Sequence, residues 1–216
     1  IDNKVRLAMT HMILGQLYYS TGREESAYYH INTAVVIAKK ANDPYPIYEA
    51  TTLLRLGILE YKYQKNLNKC DTLLLKALKI YETFYGKDHI INHIPLGKIA
   101  GFYNNIGEYH KAELCFKRIE NLFKQNPKYH KRTINHQIDY AILYLDMERL
   151  EESKIIFKEI LGKINFEDRR AGVIYFYYAK LLEKENNYTE SRNYYNKSLN
   201  AFKSWINYYW PSLSEK

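Results

Sequence analysis

Two histidines four residues apart, His89 and His93, have the spacing that sets two imidazoles on one helix face, where they could hold a metal ion. Two ligands are too few for a metal centre, and a place in a connector between helices accounts for both. The chain has no Gly-rich phosphate loop, no CxxC pair and no HExxH motif. The acidic doublets Glu24-Glu25 and Glu151-Glu152 fall at the starts of helical patterns, where the positive end of the helix dipole favours carboxylates. Cys70 and Cys115 lie on helix faces that fit a small apolar residue, so two reduced, buried thiols are expected rather than a disulfide or a metal site. Asn187-Tyr188-Thr189 and Asn196-Lys197-Ser198 match the glycosylation pattern, which carries no weight in an Asn-rich chain. Between His110 and His136 lie seven bases (Lys111, Lys117, Arg118, Lys124, Lys128, Lys131, Arg132) against two acids, Glu113 and Glu120. Such a stripe could bind phosphates, with Tyr129 for base stacking, but a solvated outer face is the expected role. No catalytic residue, metal or cofactor is expected.

What must position these residues is a chain of 216 residues with 46 % apolar content, enough for a continuous core. Only 9 glycines and 5 prolines punctuate it, and strand-like alternation is absent, so an all-helical fold is predicted. The 23 tyrosines suit seams between helices, ring inside and hydroxyl at the rim. A net charge of +8 favours acidic partners. No stretch approaches the roughly 18 apolar residues of a membrane span, and an intracellular, cytoplasmic location is expected, or a nuclear one in a eukaryote. The chain opens at Ile1 without an initiator methionine and is expected to be a piece of a larger protein.

Residues 95–123 hold the key pattern. Leu96, Ile99, Ala100 and Tyr103 form one helical stripe, Gly107 interrupts, and Tyr109, Ala112, Phe116, Ile119 and Phe123 form a second. Two helices folded back on each other would cross closest at Ala100 and Ala112. The pattern recurs at Leu14-Gly15-Tyr18 with Ala27-Ile31-Ala34, and at Leu56-Gly57-Tyr61 with Cys70-Leu74-Ala77, one extra residue preceding that turn. It returns at Tyr140-Ala141-Tyr144 with Ser153-Phe157-Ile160, and at Tyr178-Ala179-Leu182 with Ser191-Tyr195-Ser198. Serine replaces alanine in the last two, with a hydroxyl that can bond back to a helix carbonyl. The small residues Ala27, Cys70, Ala112, Ser153 and Ser191 recur every 38 to 43 positions. That period predicts helices longer by about a turn each than in a repeat of about 34 residues. Asn42–Pro46 ends the first pair. In residues 81–93, Gly86 is placed to cap a helix in a left-handed conformation and Asp88 to cap the next. Trp205, Tyr208, Tyr209 and Trp210 precede Pro211 at the end.

This order of small and large positions resembles the tetratricopeptide repeat. The connector Tyr-Gly-Lys-Asp-His at 85–89 is similar to that of the long repeats of kinesin light chains and bacterial signalling proteins. The resemblance implies a right-handed all-α solenoid of five helix-turn-helix units, near 1–45, 46–88, 89–129, 130–168 and 169–210, forming a single domain over 1–216. It implies a concave groove lined by the first helix of each unit and no catalysis. Carried over, it gives Gln16 and Tyr19, Arg55 and Lys62, Lys98, Asn104 and Asn105, Asn135 and Asp139, and Tyr177 and Lys180 as groove residues. The implied function is a protein-interaction scaffold for an acidic peptide or a partner helix. The alternatives are the regulatory arm of a larger signalling protein, or nucleic-acid binding through the basic stretch.

Overall fold

The computed structural model describes residues 3–41, 46–166, 168 and 170–209. They form ten α-helices and no strand: α1 (Asn3–Ser20), α2 (Glu24–Lys40), α3 (Ile47–Lys62), α4 (Leu67–Tyr85), α5 (His93–Asn105), α6 (Tyr109–Lys124), α7 (Thr133–Asp146), α8 (Leu150–Leu161), α9 (Ala171–Lys184) and α10 (Tyr188–Tyr209). Short 3-10 turns, Ile90–Asn92 and Pro127–Arg132, precede α5 and α7. Consecutive helices pair as five hairpins, α1/α2 to α9/α10. Contacts group the chain into two compact units, residues 1–126 with three hairpins and 127–216 with two.

Each hairpin turns through one left-handed residue: Gly22, Lys65, Gly107, Glu148 and Asn186, with φ between 53° and 81°. Each stands five positions before the small residue of its second helix. The next amide closes the first helix by bonding back, Arg23 to Tyr18, Glu108 to Tyr103, Arg149 to Tyr144 and Asn187 to Leu182, at 2.8–2.9 Å. This is the Schellman arrangement, which satisfies carbonyls a helix end leaves without partners. In the second hairpin the bond runs from Asn66 to Glu60, one residue further, which is where the extra residue is absorbed.

The predicted stripes are the core. Ala27, Cys70, Ala112, Ala141, Phe157, Ile160 and Ala179 are fully buried, as is Ser153. At Gly15 the hairpin is tightest: a Cβ there would lie 2.6 Å from the Ile31 side chain, which would have to shift. The three core serines donate across the hairpin to the facing helix, Ser153 to the Ala141 carbonyl (2.8 Å), Ser191 to Ala179 (2.9 Å) and Ser198 to Gly172 (2.7 Å), rather than back to their own helix. In the second unit Tyr194 rather than Tyr195 serves the core, packing on Tyr178 at 4.7 Å, while the Tyr195 ring lies against the exposed Phe176.

Hairpins join through the second helix of one and the first helix of the next, α2 with α3, α4 with α5, and α8 with α9. The residue just after each small one is the clip. Tyr28 donates to Glu60 (2.6 Å), Asp71 accepts from Tyr103 (2.7 Å), and Lys154 pairs with Glu185 (2.7 Å). First helices also touch one another, α1 with α3, α3 with α5, and α7 with α9, and the second helices α4 and α6 meet through the ion pair of Glu82 with Arg118.

Several expectations change. Helices α1 to α4 run 16 to 19 residues and α10 runs 22, but α5 to α9 only 12 to 16, so in the third and fourth units the extra repeat length lies in the connectors instead of the helices. Gly86 does cap α4 at φ 91°, its amide bonding to Glu82, but with ψ 152°, outside the left-handed helical region. The next start is capped by His89, whose Nδ1 accepts from the Ile91 amide at 3.2 Å, and not by Asp88. A ring nitrogen there does what a carboxylate would have done. Asn92, fully buried, binds the carbonyls of Gly86 and Lys87 and fixes the connector. Asn42–Tyr45, Trp210 and Pro211 lie outside the described residues, as do the side chains of Lys131, Arg132 and Tyr209.

Candidate functional site

The candidate wall of the first unit is built by α1, α3 and α5. Arg55 on α3 projects toward α1 because Leu56, Gly57 and Leu59 beside it are buried in the hairpin and Arg55 is left at the seam, half-buried. Its Nη1 donates to the Gln16 side chain, 39 positions earlier. Its Nε is buried without a hydrogen-bond partner, and burial holds its pKa below the usual arginine value. Two turns on, the Lys62 ammonium stands 5.4 Å over the Tyr19 ring, and a hydrogen bond to Tyr19 raises its pKa. The Tyr63 ring lies 6.0 Å from Tyr19. Four of the expected groove residues, Gln16, Tyr19, Arg55 and Lys62, therefore meet at one seam. Tyr63 belongs with them, and its period-matched place, one turn beyond Leu59, was the signal for it.

On α5, Lys98 and Asn105 are exposed and Asn104 is half-buried. In the second unit, Asn135 and Asp139 are exposed on α7, while on α9 Lys180 lies over the rings of Phe176 and Tyr177, at 5.8 and 5.6 Å.

Charge distinguishes α6 from α3 and α5 in the first unit. Every Lys and Arg of α6 is ion-paired: Lys111 with Glu108, Lys117 with Glu113, Arg118 with Glu82 and Lys124 with Glu120. The carboxylates of α3 are likewise taken by α4, Glu49 by Lys76 and Glu60 by Lys69. Arg55 and Lys62, the cations of α3, and Lys98, the cation of α5, have no carboxylate partner among the described residues.

The chemistry elsewhere is structural. Besides capping at His89, the His93 ring hydrogen-bonds to the Ile90 carbonyl at 2.7 Å. Among the described residues no three His, Cys, Asp or Glu side chains converge as a metal site, and no helix is long and apolar enough to cross a membrane. Both cysteines are free thiols, Cys70 fully buried but Cys115 only partly so, and burial pushes them up to about 12 and about 11.

Five hairpins with small-residue crossings, left-handed turns and paired first helices define a tetratricopeptide-type helical-repeat fold. Solved structures agree on the fold. A putative kinesin light chain with nearly identical TPR-like repeats from Podosopora anserina superposes with a TM-score of 0.72 at 13% identity, over 94% of this chain and 98% of that one. BtubC (BKLC) from P. vanneervenii gives 0.73 at 12%, over 95% and 84%. Pseudomonas aeruginosa pilF gives 0.65 at 20%, over 93% and 78%. No protein-family model and no curated protein matches the sequence.

Proposed function

We propose that the chain is a protein-interaction scaffold, without catalysis of its own, whose first-helix wall in residues 3–126 holds an acidic segment of a partner protein. The observation that carries this is the charge contrast: the cations of α6 are neutralised in place, while Arg55, Lys62 and Lys98 are not. A guanidinium half out of water, with a neutral amide as its neighbour, gains from a carboxylate that supplies both charge and acceptors. Tyr19 and Tyr63 add flat apolar surface beside it, suited to the backbone and side chains of an extended peptide. The neutralised α6 face speaks against the nucleic-acid alternative, since phosphate binding would first have to break those ion pairs.

The test is fluorescence polarisation of labelled Glu-rich and Lys-rich peptides of equal length against the wild-type chain and the R55E/K62E/K98E variant. The expected result is binding of the acidic peptide alone, weakened at least about tenfold in the variant and by added salt. Equal binding of both peptides, or an unaffected variant, would reject this wall.

A further inference from the structure

Glycine is a poor helix former, yet Gly101 sits in the interior of α5. The reasons that place other glycines in this chain do not hold for it. No facing helix presses on it, as on Gly15, Gly57 and Gly172, and its φ is not positive, as at Gly22 and Gly107; a Cβ there would stand in open space. The fold alone would gain from a side chain at this position, since alanine holds a helix better and loses less freedom on folding.

The place of Gly101 on the wall gives its bareness a use. Gln16, Ile58 and Gly101 each directly follow the small residue of their first helix, Gly15, Gly57 and Ala100. They therefore share one register position on α1, α3 and α5, which touch in that order. Along this row the side chain falls from glutamine to isoleucine to none. Arg55 and Lys98 share the position two before the small residue, and the Arg55 guanidinium is already joined to Gln16 at the start of the row. On α5 itself, Ile94, Lys98, Gly101 and Asn105 follow one another at intervals of four, three and four, a stripe opposite the buried Leu96, Ile99 and Tyr103. Lys98 and Asn105, both exposed, flank the gap that Gly101 leaves in that stripe.

Taking the first-helix wall as the binding face, we propose that Gly101 is the notch where the main chain of an extended acidic segment crosses α5, with a carboxylate of that segment on Lys98 and its peptide groups on Asn105. Charge and shape choose this occupant. Arg55 and Lys98 have no carboxylate partner among the described residues. The Asn105 amide offers a donor and an acceptor together, as a peptide group requires, and a helix backbone without a Cβ lets another backbone come close. A partner helix suits the site less, because its main-chain groups are already paired within it and could not answer Asn105.

Two measurements on the wild-type chain and its Gly101→Ala and Gly101→Leu variants test this: urea unfolding, and fluorescence polarisation of a labelled Glu-rich peptide kept extended by prolines. Both variants are expected to unfold at a higher urea midpoint with unchanged slope. Their affinity is expected to move the other way, falling severalfold for alanine and at least about tenfold for leucine. Gains in stability set against losses in binding separate a notch from a neutral surface glycine, since structural damage would lower both. Should leucine lower the midpoint, the alanine chain decides. A variant at least as stable as wild type that binds the peptide equally well overturns the notch and leaves the wall in place. A wild type that does not bind the peptide rejects the wall, and the notch with it. A helical Glu-rich peptide of equal charge is expected to bind more weakly than the extended one; equal or tighter binding overturns the extended occupant.

Discussion

Glu60 is almost wholly removed from water (1% exposed) yet surrounded by donors, with the Tyr28 hydroxyl and the Lys69 ammonium each 2.6 Å away. Those partners come from α2 and α4, so one carboxylate ties the first hairpin to the second. Replacing it with alanine takes the carboxylate acceptor from the half-buried Tyr28 hydroxyl, while Lys69, half in solvent, can turn to water. Glu60→Ala is expected to cost about 3 kcal/mol in urea unfolding, and Glu60→Gln, which keeps an acceptor, distinctly less. A loss equal for both substitutions would mean that charge, and not the hydrogen bond from Tyr28, holds the seam. The hydroxyls of Tyr28, Tyr103 and Tyr195 each end on a carboxylate, Glu60, Asp71 and Glu183, so these three tyrosines join a partly or fully buried ring to a polar rim as their amphipathic shape predicts.

At the scale of the element, the hairpin turn is the unit that repeats most strictly, because a helix that reverses within a few residues needs one left-handed position to bring its amides back onto its own carbonyls. Gly22 and Gly107 meet that need without a Cβ penalty, while Lys65 (φ 53°) and Glu148 (φ 59°) bear it. Lys65→Gly and Glu148→Gly are each expected to stabilise the chain by up to about 1 kcal/mol, measured as a higher urea midpoint at unchanged slope. Gly107→Ala should lower it by a similar amount. Unchanged midpoints in all three would indicate that turn strain is relieved elsewhere. The turn positions were legible because glycine, or a break in the apolar stripe, marks them. Their conformation at Lys65 and Glu148 was not, since neither residue type favours positive φ and the surrounding hairpin imposes it.

For the molecule as a whole, buried thiols and phenols dominate the response to alkali. Cys70 and Cys115 rise to about 12 and about 11, and Tyr178 and Tyr195 to about 12, burial being the leading cause in each. A group whose pKa is higher folded than unfolded stabilises the fold fully below its unfolded pKa and loses that contribution as pH climbs toward the folded value. Stability should thus be flat through neutrality and fall from about pH 9, with Cys70 alone withdrawing about 2 kcal/mol by pH ~10.5. Thermal midpoints between pH 7 and 11 will show this; a Cys70→Ala chain with an identical alkaline slope would remove the thiol from the account. What the sequence determined by itself was the all-helical hairpin row and its register, because i, i+3 and i+4 spacing, small crossing residues and turn residues are local and act within one hairpin. Tertiary structure decided which side chains meet between hairpins: that Arg55 faces Gln16, that Tyr28 reaches Glu60, that Arg118 reaches Glu82 and that Lys154 reaches Glu185. Those outcomes depend on the rotation of one hairpin against the next, a quantity no spacing within a single helix encodes.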